Sequence, residues 1–340
     1  SFSQVNSVYD FRLDEVSRWV TGKGARIIAL QMPEGLKSHA QELGRELERK
    51  TGGRCVLIAD PCYGACDVDR RFTDYADVLV QFGHADIPSM QAGPNVLFVE
   101  VFMDMDISAL LPRALPLLTG RVGVLTTVQH VKMIPDVVRW LEANGHTALV
   151  GRGDSRIMFE GQVLGCNISA VEPLKGRSDS FLYIGSGDFH PLSVAIETNR
   201  PVVVIDPLMQ EVRELNELRE RILRQRHGAI VRASDAKRFV ILVSTKSGQR
   251  RMEMAWDLRR RLEESGRSAD VVALEEFHPD RLLPFDADAY VSTACPRIAI
   301  DDHLRYPKPL LTPVEVEIVL GKRSWDDYRL DYITGDPAER

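Results

Sequence analysis

The chain has 340 residues, 44% of them hydrophobic and 27% charged, with a formal net charge of −6. That length suits two or three domains, and the balance excludes a disordered tail. A mildly acidic chain is poorly suited to general nucleic-acid binding, which needs a field of Lys and Arg. No apolar run approaches the ~18–20 residues of a bilayer-spanning helix. The opening SFSQVNSVYDFRLDEVSRWV has no basic segment followed by an apolar stretch, so no secretory signal is expected.

In chain order, three segments repeat one layout. The first has the apolar run ARIIALQMPEG (25–35), a helical stretch (38–50), the strand CVLIAD (55–60) and a loop with Cys62 and Cys66. The second has RVGVLTTVQH (121–130), a helix over 134–146, the strand TALVGRG (147–153) and Cys166. The third has RFVILVSTKSGQ (238–249), a helix over 252–266, the strand DVVALEE (270–276) and Cys295. Further strands are predicted over 76–83, 95–101, 181–187, 201–207 and 287–295. The charged segment 211–228 reads as one long amphipathic helix with a solvated face.

Short apolar strands alternating with amphipathic helices indicate α/β architecture with mainly parallel sheets. Three related small α/β domains are expected, over 1–118, 119–232 and 233–340, each bringing one cysteine (Cys66, Cys166, Cys295) to its strand ends around a central cluster site.

The five cysteines, at 55, 62, 66, 166 and 295, are odd in number and scattered, unlike a secreted disulfide framework. Free or metal-bound thiolates in the cytoplasm fit better. Three thiolates from distant loops can hold three irons of a 4Fe-4S cluster and leave the fourth open. Soft sulfur donors without a paired CxxC knuckle favour that over structural zinc. The alternative is buried, inert thiols, and Cys55, opening the strand CVLIA, fits it. Cys66, Cys166 and Cys295 instead stand beside turns: YGACD, LGCN and ACPR. Cys62 and Cys66 have CxxxC spacing, but Asp69 stands where a CxxxCxxC loop would place its third cysteine.

The segments DPCYGACDVD (60–69), GRGDSRI (151–157), GQVLGCN (161–167), IGSGDFHPL (184–192), VSTKSGQ (243–249) and TACPRIAIDD (293–302), with QMPEGL and LTPVEVEIVLG, together resemble the archaeal diphthamide-synthesis family of 2-(3-amino-3-carboxypropyl)histidine synthases, subunit 2. The resemblance runs from about residue 25 to about residue 322. It implies a homodimer whose Cys66, Cys166 and Cys295 hold a 4Fe-4S cluster, while Cys55 and Cys62 match no ligand. It also implies reductive cleavage of S-adenosylmethionine at its Cγ–S bond, release of 5′-methylthioadenosine, and transfer to C2 of a histidine on translation elongation factor 2. An electron donor is a further partner; membrane and direct nucleic-acid contacts are not expected.

Glycine-rich turns let backbone N–H groups approach a carboxylate or a ribose. Candidate cofactor contacts are therefore Gly153, Asp154 and Ser155; Gly185, Ser186, Gly187 and Asp188; His190; Gly248 and Gln249; and Arg297, which could balance the cluster or bind a carboxylate. Each has a scaffold alternative: Asp154 and Ser155 capping a helix, Gly185 and Gly187 permitting a turn, and His190, like His84, His130 and His303, acting as a hydrogen-bonded structural residue. The rival readings are a quinolinate synthase-like 4Fe-4S dehydratase and a non-catalytic subunit stabilised by metal.

Overall fold

The computed structural model describes residues 8–335; the first residues of the opening segment and the far ends of the first and third expected domains lie outside them. The first unit begins with β1 (Tyr9–Asp10) and continues with β2 (Ile27–Gln31), β3 (Arg54–Leu57), β4 (Val78–Phe82), β5 (Val96–Val99) and β6 (Phe102–Met103). The second holds β7 (Arg121–Thr126), β8 (Thr147–Leu149), β9 (Ser180–Ile184), β10 (Val202–Asp206) and β11 (Glu211–Glu214). The third holds β12 (Arg238–Ser244), β13 (Ser268–Leu274), β14 (Ala289–Ser292) and β15 (Leu310–Leu311).

The three sheets share one spatial order: β3-β2-β4-β5, β8-β7-β9-β10 and β13-β12-β14-β15, with every neighbouring pair parallel. Each first strand crosses to the second through one helix: Ala40–Thr51, Ile134–Ala143 and Met252–Glu264. The expected triplication is thus present. The strands are continuous apolar runs because helices cover both faces: VLVQF in β4 and VVVID in β10 are buried throughout. Gln81 breaks the run in β4 at 0% exposure, and its amide donates to the Gly64 carbonyl at 3.3 Å, inside the Cys66 loop.

The predicted helix over 211–228 is corrected in two ways. Residues Glu211–Glu214 form β11, antiparallel to β10 with Val212 opposite Ile205, after a turn in which Gln210 adopts φ 55°. Helical periodicity and a hairpin return both place Val212 and Leu215 inward, so the apolar pattern could not separate them. The helix then runs Asn216–Ala233, and its charged face is not wholly solvated. Arg226 is fully buried: it pairs with the equally buried Glu315, with Nε–Oε1 at 2.8 Å, and donates to the carbonyls of Ala299 and Leu310. Glu315 also closes a capping box with Thr312 and accepts from the Tyr328 hydroxyl. Ala229, Ile230 and Ala233 of the same helix pack into the third core, across the expected boundary at 232.

The chain's end crosses back as well. Arg251 and Asp331 form a buried ion pair, and Arg251 Nε donates to the Thr293 carbonyl at 2.6 Å. Two residues on, the Ile333 N–H donates to the Cys166 carbonyl at 2.7 Å and its carbonyl accepts from Asn167 at 3.0 Å. This strap fastens the Cys166 loop to the strand end that leads into Cys295. Of these contacts the Arg226–Glu315 pair is the deepest charge in the fold. Glu315→Ala strands a buried guanidinium and is expected to cost about 3–5 kcal/mol, read as a lowered urea midpoint with an unchanged m-value.

Candidate metal centre

Every parallel strand that opens on the centre does so at its carboxyl end, where α/β sheets gather ligands. Those ends enclose a cavity of about 660 Å³, lined by all three units and by Cys66, Cys166 and Cys295. Cys66 and Cys166 both lie in the connection from the second to the third strand of their units. Cys295 lies one connection later, after β14. The expectation of equivalent placement therefore holds for two of the three, and the third reaches the centre from a neighbouring strand end.

Several contacts hold the thiols together. The Gln249 amide donates to Cys66 Sγ at 3.5 Å. A Cβ added at Gly248 would lie 2.4 Å from Cys66 Cβ, so only glycine lets the third unit approach that cysteine's backbone. Lys246 lies between Asp67, at 3.0 Å, and Glu276, at 2.5 Å, and joins the two units beside Cys66. Gly165, next to Cys166, packs against Arg297 Cδ, two residues beyond Cys295.

Burial pushes the Cys66 thiol up to about 12, with the adjacent Cys166 adding to the shift and the Gln249 bond opposing it. Burial raises Cys295 too, again with Cys166 beside it. Cys66 and Cys295 therefore stay neutral until a cation compensates them. Among the described residues no three His, Cys, Asp or Glu side chains are close enough to hold one metal ion. A single zinc, with every thiolate about 2.3 Å from one ion, does not fit that spacing. A multi-iron cluster, in which each thiolate takes a separate iron, fits the soft donors and does not need them to meet at one ion. Cys62 is buried against the Gly64 carbonyl, and burial raises it to about 12; it does not line the cavity. Cys55 packs against the first core, as expected.

Of the other predicted contacts, Ser186, His190, Gln249 and Arg297 line the cavity. Gly153, Asp154 and Ser155 do not. Asp154 accepts from the Arg156 N–H at 2.9 Å, from Asn167 Nδ2 at 2.9 Å and from the Gly335 N–H at 2.9 Å, so it braces the Cys166 loop and the terminal strap. Ser155 Oγ donates to the Gly335 carbonyl at 3.1 Å. Asp188 faces away and accepts from Arg213 Nε at 2.9 Å, while Ser186 donates to Asp206 at 2.8 Å. Gly185 and Gly187 serve the turn, Gly187 at φ 79°. Gly248 acts by its lack of a side chain. Sequence reading missed Lys246 and the terminal strap. The first stood inside a motif already singled out, and the second has no local signature.

Residues 32–329 match the Diphthamide_syn family, described as "Putative diphthamide synthesis protein". The chain belongs to this family. It is 36% identical over 337 residues to the 2-(3-amino-3-carboxypropyl)histidine synthase of Pyrococcus horikoshii, covering 98% of this chain and 96% of that protein. It is 31% identical to subunit 1 of the Gallus gallus synthase, over 96% of this chain and 80% of that one. The crystal structure of Dph2 from Pyrococcus horikoshii with a 4Fe-4S cluster superposes with a TM-score of 0.87 at 35% identity, covering 97% of this chain and 96% of that one. As in that diphthamide-family structure, mainly parallel α/β sheets build the fold. Among the described residues no helix is long and apolar enough to cross a membrane.

The close approach at Gly248 has a measurable consequence. Gly248→Ala drives a methyl group into the Cys66 backbone, an overpacking strain of about 1–3 kcal/mol. After anaerobic reconstitution the variant is expected to bind several-fold less iron, with circular dichroism like that of the parent.

Proposed function

We propose that the chain transfers the 3-amino-3-carboxypropyl group of S-adenosylmethionine to C2 of a histidine in translation elongation factor 2, the first step of diphthamide synthesis, and releases 5′-methylthioadenosine. One observation carries this reading. Cys66, Cys166 and Cys295 reach one cavity from three units, in a chain matching a cluster-bearing relative over nearly its whole length. Family membership favours it over a quinolinate synthase-like dehydratase.

In this reading the three thiolates hold a 4Fe-4S cluster. When bound and reduced by an electron donor, that cluster supplies the electron that opens the Cγ–S bond. The chain's own residues bind and orient. Gln249 fixes Cys66 through its amide bond, and Lys246 keeps the Cys66 loop docked on the third unit. Arg297, 5.1 Å over the Phe189 ring and paired with Asp301 at 2.9 Å, offers a positive charge to a carboxylate. The cavity falls within the about 300–1,000 Å³ of small-molecule sites. The protein substrate, a homodimeric assembly and the electron donor belong to the same proposal.

The test is anaerobic reconstitution with iron and sulfide, reduction, and addition of S-adenosylmethionine with or without elongation factor 2. Mass spectrometry is expected to show 5′-methylthioadenosine and a modified histidine in the factor. Cys166→Ala is expected to lose the cluster's visible absorption and product formation while remaining folded. A variant that forms methylthioadenosine at the parental rate would refute the assignment.

A further inference from the structure

Among the described residues three arginines are buried: Arg156 at 6% exposure, Arg226 at 1% and Arg251 at 3%. Charge taken out of water is tolerated where an opposite charge meets it. Arg226 has the buried Glu315, and Arg251 has the buried Asp331. Arg156 has no such partner. Among the described residues its guanidinium makes one hydrogen bond, from Nη2 to the Gly248 carbonyl at 3.3 Å, and its Nε is buried with none. Asp154, two residues away, accepts from the backbone N–H of Arg156, from Asn167 and from Gly335, not from the guanidinium.

Its position gives this imbalance a meaning. Gly248, whose carbonyl it holds, is the residue whose missing side chain lets the third unit touch the Cys66 backbone. Arg156 belongs to the second unit, so its guanidinium stands where all three units meet beside Cys66. Burial drives the Cys66 thiol up, and the Arg156 charge works against that rise. Other cations near the cysteines are already matched: Lys246 by Asp67 and Glu276, and the exposed Arg297 by Asp301. Arg156 is the buried positive charge left over.

We infer that Arg156 is the counter-charge for the iron–sulfur group held by Cys66, Cys166 and Cys295, and that it eases reduction of that group. This rests on the three cysteines holding a 4Fe-4S cluster. Three thiolates outweigh the positive charge of an oxidised cluster core, and an added electron widens the excess. A fixed guanidinium in a low-dielectric interior offsets that excess without touching a sulfur. It therefore favours the reduced state over the oxidised one. One electron passes from the donor to the cluster, and no bond of the chain changes. Arg156 acts through the cluster, as a positioning residue rather than a catalytic one.

The test compares Arg156→Gln, which keeps an amide donor but no charge, with Arg156→Lys, which keeps the charge. Each protein is reconstituted anaerobically with iron and sulfide, and its reduced fraction is followed by electron paramagnetic resonance as the potential is stepped. Arg156→Gln is expected to lower the equilibrium constant for reduction about tenfold, which is ~59 mV for one electron. Arg156→Lys is expected to stay close to the parent. A cluster-loaded glutamine variant with the parental potential overturns the assignment. Should Arg156→Gln not load, iron uptake by the folded proteins decides: loading of the lysine variant alone supports the charge, and loss in both overturns it. A parent that takes up neither iron nor sulfide instead overturns the cluster reading itself, a separate result.

Discussion

Three cysteines brought from three sheets to one cavity are the constraint on which the rest of the structure depends. Burial makes Cys66 and Cys295 costly to ionise where they stand, and Cys166 beside each adds to that cost. No local element can hold such a group, because the cysteines belong to three sheets. The fold answers with fasteners between units rather than within them: Lys246 on Asp67, glycine at 248 against Cys66, and the terminal strap between Cys166 and the strand end before Cys295. Much of the polar interior serves this assembly. Asp154, Asn167, Arg251 and Asp331 are bound to one another's loops.

This explains which parts of the molecule were legible in the sequence. Strands such as VVVID and FLYI announce themselves because burial on both faces demands apolar residues, and the three helical crossovers follow from periodicity. The cysteines were legible because sulfur at turns is rare and chemically specific. The GRGDS turn is ambiguous for a physical reason. A glycine-rich loop with an acidic residue looks alike whether its carboxylate meets a ligand or, as with Asp154, meets Arg156, Asn167 and Gly335 of its own chain. Partners as distant as Gly335 leave no mark in a local pattern. The segment 211–228 was ambiguous for another reason: a single apolar position, Val212, satisfies both a helix face and a hairpin.

The repeated strand order makes the site's asymmetry interpretable. After their third strands, the first and second units bring histidines to the cavity, His84 and His190, where the third unit brings Cys295. After their second strands, the first two bring cysteines, where the third brings Glu275, Glu276 and His278. Moving the third thiol by one connection frees an entire loop of the third unit from ligand duty, and that loop carries charge. A strictly symmetric trio would have surrounded the centre with three similar walls. The shifted one leaves the charged side chains of the third unit across the cavity from lining residues of the first two units that carry none.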